Sequence, residues 1–167
     1  MQCGPTAAAS NAMPPLVEVT SFDHPDAAKL RERKRENVRA DFGDIALEPG
    51  PAPTAQDVPY FLLVRVQGQA VACGGLKFLS ESTAELKQMF VEPPYRRKSY
   101  QFDLAALLLE RLLAEAKQQG CNKITLDTGI TMLPARRFYE RNGFALQPKV
   151  GYHEGVAVSV QYIKFIT

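Results

Sequence analysis

The sequence predicts an α+β (α/β) fold: a mixed, mostly antiparallel sheet of about six or seven strands with a central parallel pair, flanked by helices. Two observations carry this. Between Tyr60 and Val91, three strand-like stretches follow one another with only short turns between them, as in an antiparallel meander. A long amphipathic helical segment then separates the last of these from Ile124–Asp127. Strand, crossover helix and strand form a βαβ unit, whose two strands run parallel.

The elements follow in order. Leu16 to Thr20 alternates apolar and polar residues, as a half-buried strand does. Asp23 to Asp26 supplies a helix start with Pro25 in the first turn, and the helix runs to about Phe42 with Ala27, Leu30, Val38 and Phe42 facing inward. Gly43 to Asp57 holds Pro49, Gly50, Pro51 and Pro53 and reads as a loop. Tyr60 to Val66 is a strand, Gln67-Gly68-Gln69 a tight turn, and Ala70 to Leu79 the partner strand, where Gly74-Gly75 marks a bulge or a close backbone approach. After the turn Ser80–Thr83, the strand Ala84–Val91 is expected to place Leu86, Gln88 and Phe90 on one face. Glu85, Lys87, Met89 and Val91 are expected on the other.

Pro93-Pro94 ends that strand. From about Gln101 to Gln119, Leu104, Leu107, Leu108, Leu112 and Ala116 recur at helical spacing, and Gly120 closes the helix. A second helix is expected over Leu133–Arg141, with Pro134 in its first turn and Asn142-Gly143 as its stop. Phe144–Leu146 and Val156–Phe165 read as the last two strands.

The chain of 167 residues is the size of one domain, expected over 14–167 behind a disordered extension at 1–13. Either Met1 or Met13 is expected as the natural start. A net charge of +2 argues against nucleic acid as the main partner, and no apolar run reaches the ~20 residues that span a bilayer. Cys3, Cys73 and Cys121 show no CxxC spacing, and His24 and His153 are isolated, so no metal site is expected. Cys73 and Cys121 lie in apolar surroundings and read as reduced core thiols, which places the protein in the cytoplasm.

The stretch Gly74–Leu146 carries a more specific pattern. A strand with Glu85 at its start and Val91 at its end leads to Arg96-Arg97-Lys98-Ser99-Tyr100-Gln101 and a long helix. The strand Leu126-Asp127-Thr128-Gly129 follows, then Ala135-Arg136-Arg137-Phe138-Tyr139-Glu140-Arg141-Asn142-Gly143-Phe144. In this order and spacing the chain resembles the GNAT superfamily of acetyl-CoA-dependent N-acetyltransferases, and the Ala-x-x-x-Tyr-x-x-x-Gly-Phe ending is the most recognisable part.

The resemblance implies an acyltransferase with acetyl-CoA as cosubstrate and no metal, moving an acetyl group to a primary amine of a small molecule or peptide by direct attack in a ternary complex. It implies Tyr139 as the acid that protonates the leaving thiolate and Glu85 as the base. It also implies backbone groups of Met89, Phe90 and Val91 along the pantetheine, with an oxyanion contact from the amide of Met89 or Phe90. The loop Arg96–Gln101 would hold the pyrophosphate. Family members place glycines in that loop where Arg97, Ser99 and Gln101 stand here, and an Asn near Met132 and Leu133. The alternative is therefore a catalytically degenerate acyl-CoA-binding or regulatory module of the same fold.

The basic segment Lys29–Arg39 is interrupted by Glu32 and Glu36 and reads as a solvated helix face. Because the first helix borders the acceptor groove in the superfamily, the resemblance also raises an acidic acceptor, with Arg33 and Arg35 as the residues to test. A monomer or homodimer is expected, with no membrane partner.

Overall fold

The computed structural model describes residues 13–43, 51–148 and 159–167. The expected N-terminal extension apart from Met13, part of the loop after the first helix, and the turn near His153 lie outside the described residues. Seven strands and three helices follow the predicted order: β1 (Leu16–Thr20), α1 (Pro25–Phe42), β2 (Tyr60–Val66), β3 (Gln69–Phe78), β4 (Thr83–Val91), α2 (Leu104–Gln118), β5 (Lys123–Gly129), α3 (Leu133–Arg141), β6 (Ala145–Gln147) and β7 (Ser159–Phe165). They form one sheet in the order β1-β2-β3-β4-β5-β7-β6. Only the central β4–β5 pair is parallel, and the other pairs are antiparallel.

Local chemistry explains the boundaries. His24 caps α1, its Nδ1 accepting from the Asp26 amide at 3.1 Å, a role its isolation in the sequence concealed. The β2–β3 hairpin turns on Gln67 (φ 49°) and Gly68 (φ 80°), the pair of left-handed residues that a two-residue hairpin needs. Gly143 (φ 84°) ends α3, where a left-handed residue stops a helix.

The sheet carries two cores. On one face, α2 and α3 cover Leu62, Val64, Ala72, Leu86, Ile124, Leu126 and Tyr162 with Leu104, Leu108, Leu112 and Tyr139. On the other, α1 packs Ala27 and Leu30 against Phe61, Leu63, Cys73 and Phe90. Ala27, Leu30 and Val38 are buried as expected, whereas Phe42 is only half-buried. In α2, Leu109 takes the buried place expected of Leu107.

Two predictions need correction. Leu86 and Phe90 do not share a face; Leu86 belongs to the α2 side and Phe90 to the α1 side. The cause is a bulge. Between the Cys73↔Phe90 and Gly75↔Lys87 pairs, β3 has one residue and β4 has two, so the period of two is broken. Gln88 takes φ 57° there. The glycines of β3 mark the place, but the extra residue lies in β4. Gly74 and Gly75 instead allow close approach: a Cβ on Gly75 would lie 2.6 Å from Val58 Cγ1 and 2.9 Å from the Tyr60 carbonyl.

The second correction concerns α2, which starts at Leu104 rather than near Gln101. Asp103 is its cap, with Oδ1 accepting from the Ala106 amide at 3.0 Å. The preceding residues are turns stabilised by edge contacts of Tyr100 with Tyr95 (5.3 Å) and tilted packing on Phe102 (5.7 Å).

Candidate active site

Beta-strand pairing between β4 and β5 stops early. The register covers Thr83↔Lys123, Ala84↔Ile124 and Glu85↔Thr125, while β4 runs on to Val91 and β5 to Gly129. The two strands therefore part just beyond Glu85. A cavity of about 370 Å³ occupies the opening. Leu86, Met89, Leu126 and Tyr139 line it from the α2–α3 side, and Arg31, Lys34, Arg35, Lys87, Gln88 and Asp127 from the α1 side. Those groups belong to opposite faces, so the cavity joins the two sides of the sheet at its centre.

Tyr139 is held in this wall by the segment that follows it. Gly143 turns the chain so that the Phe144 amide donates to the Tyr139 carbonyl at 3.1 Å. The Tyr139 ring then lies edge-on between Phe138 (5.2 Å) and Phe144 (5.6 Å). α3 is pinned to the sheet by Arg136, whose Nε donates to Tyr162 Oη at 3.0 Å, and by Tyr162 Oη donating to Glu140 at 2.6 Å. Burial pushes the Tyr139 phenol well above its ordinary value, so the group is protonated at neutral pH. Its hydroxyl has no hydrogen-bond partner among the described residues.

Glu85 stands differently. It is buried at the last β4–β5 rung, with Oε1 2.6 Å from Lys87 Nζ, and does not line the cavity. Among the described residues two carboxylates do line it: Glu32 on α1 and, at the strand gap, Asp127 in β5. Sequence reasoning passed over Asp127, although a carboxylate between Leu126 and Thr128 in a central strand was a signal. The α1 face of these strands is polar beside the gap: Glu85, Lys87, Thr125, Asp127 and Gln161 stand opposite the apolar set Ala84, Leu86, Ile124, Leu126 and Tyr162. Among the described residues, Thr125 Oγ1 and Ser159 Oγ are buried with no hydrogen-bond partner.

The predicted cofactor residues divide. Met89 lines the cavity, while Phe90 and Val91 continue β4 in pairs with Cys73 and Ala72. Arg96 is engaged internally: Nε donates to the Val91 carbonyl at 2.9 Å and a terminal nitrogen to Asn37 at 2.8 Å. The amides of Ser99 and Tyr100 both donate to the Arg96 carbonyl, at 2.8 and 2.9 Å. With Asp103 capping α2 through the Ala106 amide, three of the donors available to a pyrophosphate here are engaged within the chain. Arg97, Lys98, Ser99 and Gln101 are exposed.

The basic face of α1 also needs correction. Arg31, Lys34 and Arg35 line the cavity, while Arg33 makes a two-pronged bond to Glu92 at 2.8 and 2.9 Å. Arg31 donates to the Phe22 carbonyl and stacks 3.5 Å above the Phe22 ring. The segment is therefore not a simple solvated face. Burial pushes the Cys73 thiol up to about 12, as expected of an inert core thiol. Among the described residues no three His, Cys, Asp or Glu side chains converge as metal ligands, and no helix is long and apolar enough to cross a membrane.

A strand pair opened at the centre of a mixed sheet, with a protonated tyrosine in the gap, is the arrangement of an acyltransferase fold. The sequence profile of the Acetyltransferase (GNAT) family matches residues 21–144, and the chain belongs to that family. It is 34% identical over 86 residues to an IAA acetyltransferase of Azospirillum brasilense, which is 51% of this chain and 54% of that protein. The chain spans about half the length of the curated relatives it matches. Among solved structures, a candidate acyl-CoA N-acyltransferase of Klebsiella pneumoniae superposes with a TM-score of 0.75 at 25% identity, over 94% of this chain and all (100%) of that one. The PaiA N-acetyltransferase of Thermoplasma acidophilum, solved with coenzyme A, gives 0.66 at 17% identity, over 90% and 99%.

Proposed function

We propose that this protein is an N-acetyltransferase that moves the acetyl group of acetyl-CoA to a primary amine by direct attack, with both substrates bound. The observation that carries the reading is the cavity through the β4–β5 gap with Tyr139 in its wall. A relative in fold solved with coenzyme A supports the choice of cosubstrate.

Acetyl-CoA supplies an acyl group activated as a thioester. The chain orients and moves protons. Backbone groups of Met89, Phe90 and Val91 would receive the pantetheine as an added strand, because among the described residues β4 has no strand neighbour on its β5 side beyond Glu85. An amide of Met89 or Phe90 would meet the developing oxyanion. Arg97 and Lys98, with Arg96, Ser99, Tyr100 and Gln101 around them, would face the phosphates.

Tyr139 holds its proton at neutral pH and gives it to the departing thiolate. The attacking amine must lose a proton, since an alkylamine has a pKa near ~10.4. Glu85 is the base that the resemblance assigns, and Asp127 is the carboxylate of β5 that lines the cavity at the strand gap. The acceptor is a small molecule or a peptide amine, and the setting is the cytoplasm, where acetyl-CoA and reduced thiols coexist. The protein acts as a monomer or homodimer.

Calorimetric titration with acetyl-CoA, followed by thiol release over a panel of amines, tests the proposal. Absence of heat with acetyl-CoA refutes it. A second reading, a degenerate acyl-CoA-binding or regulatory module, is favoured by one observation: the self-bonded loop with Asp103 at the α2 terminus. It predicts heat on titration and no thiol release with any amine.

A further inference from the structure

We propose that the acceptor amine carries an anionic group, of the carboxylate type found in amino acids, which is bound by Arg35 with Lys34 on α1. The inference rests on the transferase reading for its reaction, and on the α1 side of the cavity for its content.

The first argument is position. Arg31, Lys34 and Arg35 share the side of α1 turned to the cavity, at the three- and four-residue spacings that align side chains on one face. The same face carries the buried Ala27 and Leu30. Two of these cations, Arg31 and Lys34, are half-buried, in places where an amphipathic helix ordinarily carries apolar residues. Desolvation opposes such charges, and burial lowers the Arg31 value. Charges kept in a wall at that cost are offset when a ligand brings the opposite sign.

The second argument is commitment. Arg31 is taken by the Phe22 carbonyl and ring. Lys87 is held 2.6 Å from Glu85, and Lys34 reaches Gln88 Oε1 at 3.4 Å. Arg35 has no bonding partner among the described residues and keeps its planar fork for a carboxylate or phosphate. Among the described residues, charge in the wall is uneven: Arg31, Lys34, Arg35 and Lys87 stand against Glu32 and Asp127.

The third argument is polarity along the cavity. The cations of α1 lie on one side of the sheet, and Tyr139 on the other. Asp127 and the hydroxyl of Ser159, which is buried without a hydrogen-bond partner among the described residues, line the wall as well. An acceptor with a cationic end and an anionic end matches this: the anion at Arg35, the ammonium drawn by Asp127 towards the gap. A cavity of about 370 Å³, shared with the tip of the acyl donor, has room for the amine and anion of a short ω-amino acid. The loop proposed for the donor's pyrophosphate meets α1 at Asn37, through Arg96, and not at Arg35.

The test compares short ω-amino acids with their primary amides and with aminoalkyl phosphates of equal length. Two readouts are taken: thiol release, and direct binding by calorimetry with and without acetyl-CoA. The expected result is a lower KM and tighter binding for the acids than for the amides. Arg35→Gln should raise KM for the acids roughly tenfold to a hundredfold, the range for a lost charged hydrogen bond, with kcat and the amides little changed. Arg35→Lys should restore part of the difference. A preference for the phosphates that is also lost in Arg35→Gln keeps the anion and replaces the carboxylate. Equal use of acids and amides, or an unchanged ratio in Arg35→Gln, overturns the inference while the transferase stands. If no amine releases thiol, the transferase reading falls. Binding then decides: acid-selective heat lost in Arg35→Gln supports the anion site, and its absence ends it.

Discussion

Replacing Tyr139 with Phe removes one hydroxyl and leaves the ring. The contacts with Phe138 at 5.2 Å and Phe144 at 5.6 Å are aromatic and remain. Because the hydroxyl has no hydrogen-bond partner among the described residues, unfolding free energy should change by no more than ~1 kcal/mol. In a domain of this size that is a Tm change of about 2–4 °C. Turnover should behave otherwise. A positioned acid contributes about 10²–10⁴-fold, so kcat should fall by that factor, which corresponds to ~3–5 kcal/mol of barrier. KM for acetyl-CoA should hold. Thiol release at saturating substrate, beside thermal unfolding, reads both quantities. Acyl donors whose thiol has a low pKa leave without help, so the defect should shrink with them. The phenol lies above its ordinary value of 10.0, so Tyr139 should add no alkaline limb to the rate profile near neutral pH. Full turnover in Tyr139→Phe, or a defect equally large with low-pKa thiol donors, refutes the acid role.

Gly75→Ala should lower stability by ~1–3 kcal/mol in urea titration, because its Cβ would meet Val58 Cγ1 at 2.6 Å, Phe61 Cδ2 at 2.7 Å and the Tyr60 carbonyl at 2.9 Å. An unchanged midpoint would show that β2 and β3 can part without cost. Asp103→Ser keeps a good cap and removes a charge. Acetyl-CoA should bind about two- to fivefold tighter by calorimetry, the size of a helix-terminus charge effect; equal or weaker binding would show that the phosphates do not approach α2. Stability should fall at alkaline pH. Cys73 rises from 9.0 to about 12 and Tyr139 rises from 10.0, so the folded state keeps protons that the unfolded chain releases. Their contribution is whole below pH 9 and is lost as pH climbs through about 12, at up to ~1.4 kcal/mol per pH unit per group. Urea midpoints between pH 8 and pH 11 measure it, and Cys73→Ala should flatten the slope; an unaltered slope would contradict the cause.

Much of the fold was legible because its signals are local. Gly143 and Pro134 bound α3 at the predicted residues, and the βαβ spacing implied the parallel β4–β5 pair that is observed. What escaped was set by tertiary or single-residue geometry. No pattern in Ala84–Val91 announces that Gln88 takes φ 57°, yet that one residue moves Phe90 to the face opposite Leu86. Asp103 was hidden in plain view: an aspartate three residues before Ala106 is a cap signal, but the long apolar repeat drew the helix start to Gln101. At the site, Tyr139 was recognisable from its neighbours and Arg35 only through the resemblance, beside Arg33, whereas Asp127 was passed over. The importance of Asp127 and Arg35 arises where two strands part and a helix crosses the opening, and neither event is written in a local run of residues.

The two ends of the site now pull in different directions. At the centre of the sheet, a protonated Tyr139, a gap in the ladder and a cation-lined approach are mutually consistent. At the α2 terminus, the amides of Ser99 and Tyr100 are spent on Arg96, and Asp103 occupies the helix end. Helix-terminus donors serve a phosphate only when they are not already satisfied, so the second end costs affinity without altering the geometry of the first. Weak donor binding combined with efficient transfer is therefore the kinetic signature to expect: a high KM for acetyl-CoA beside an ordinary kcat. It also separates the two readings of the chain: both carry the raised KM that the α2 terminus sets, and the degenerate module alone loses kcat as well.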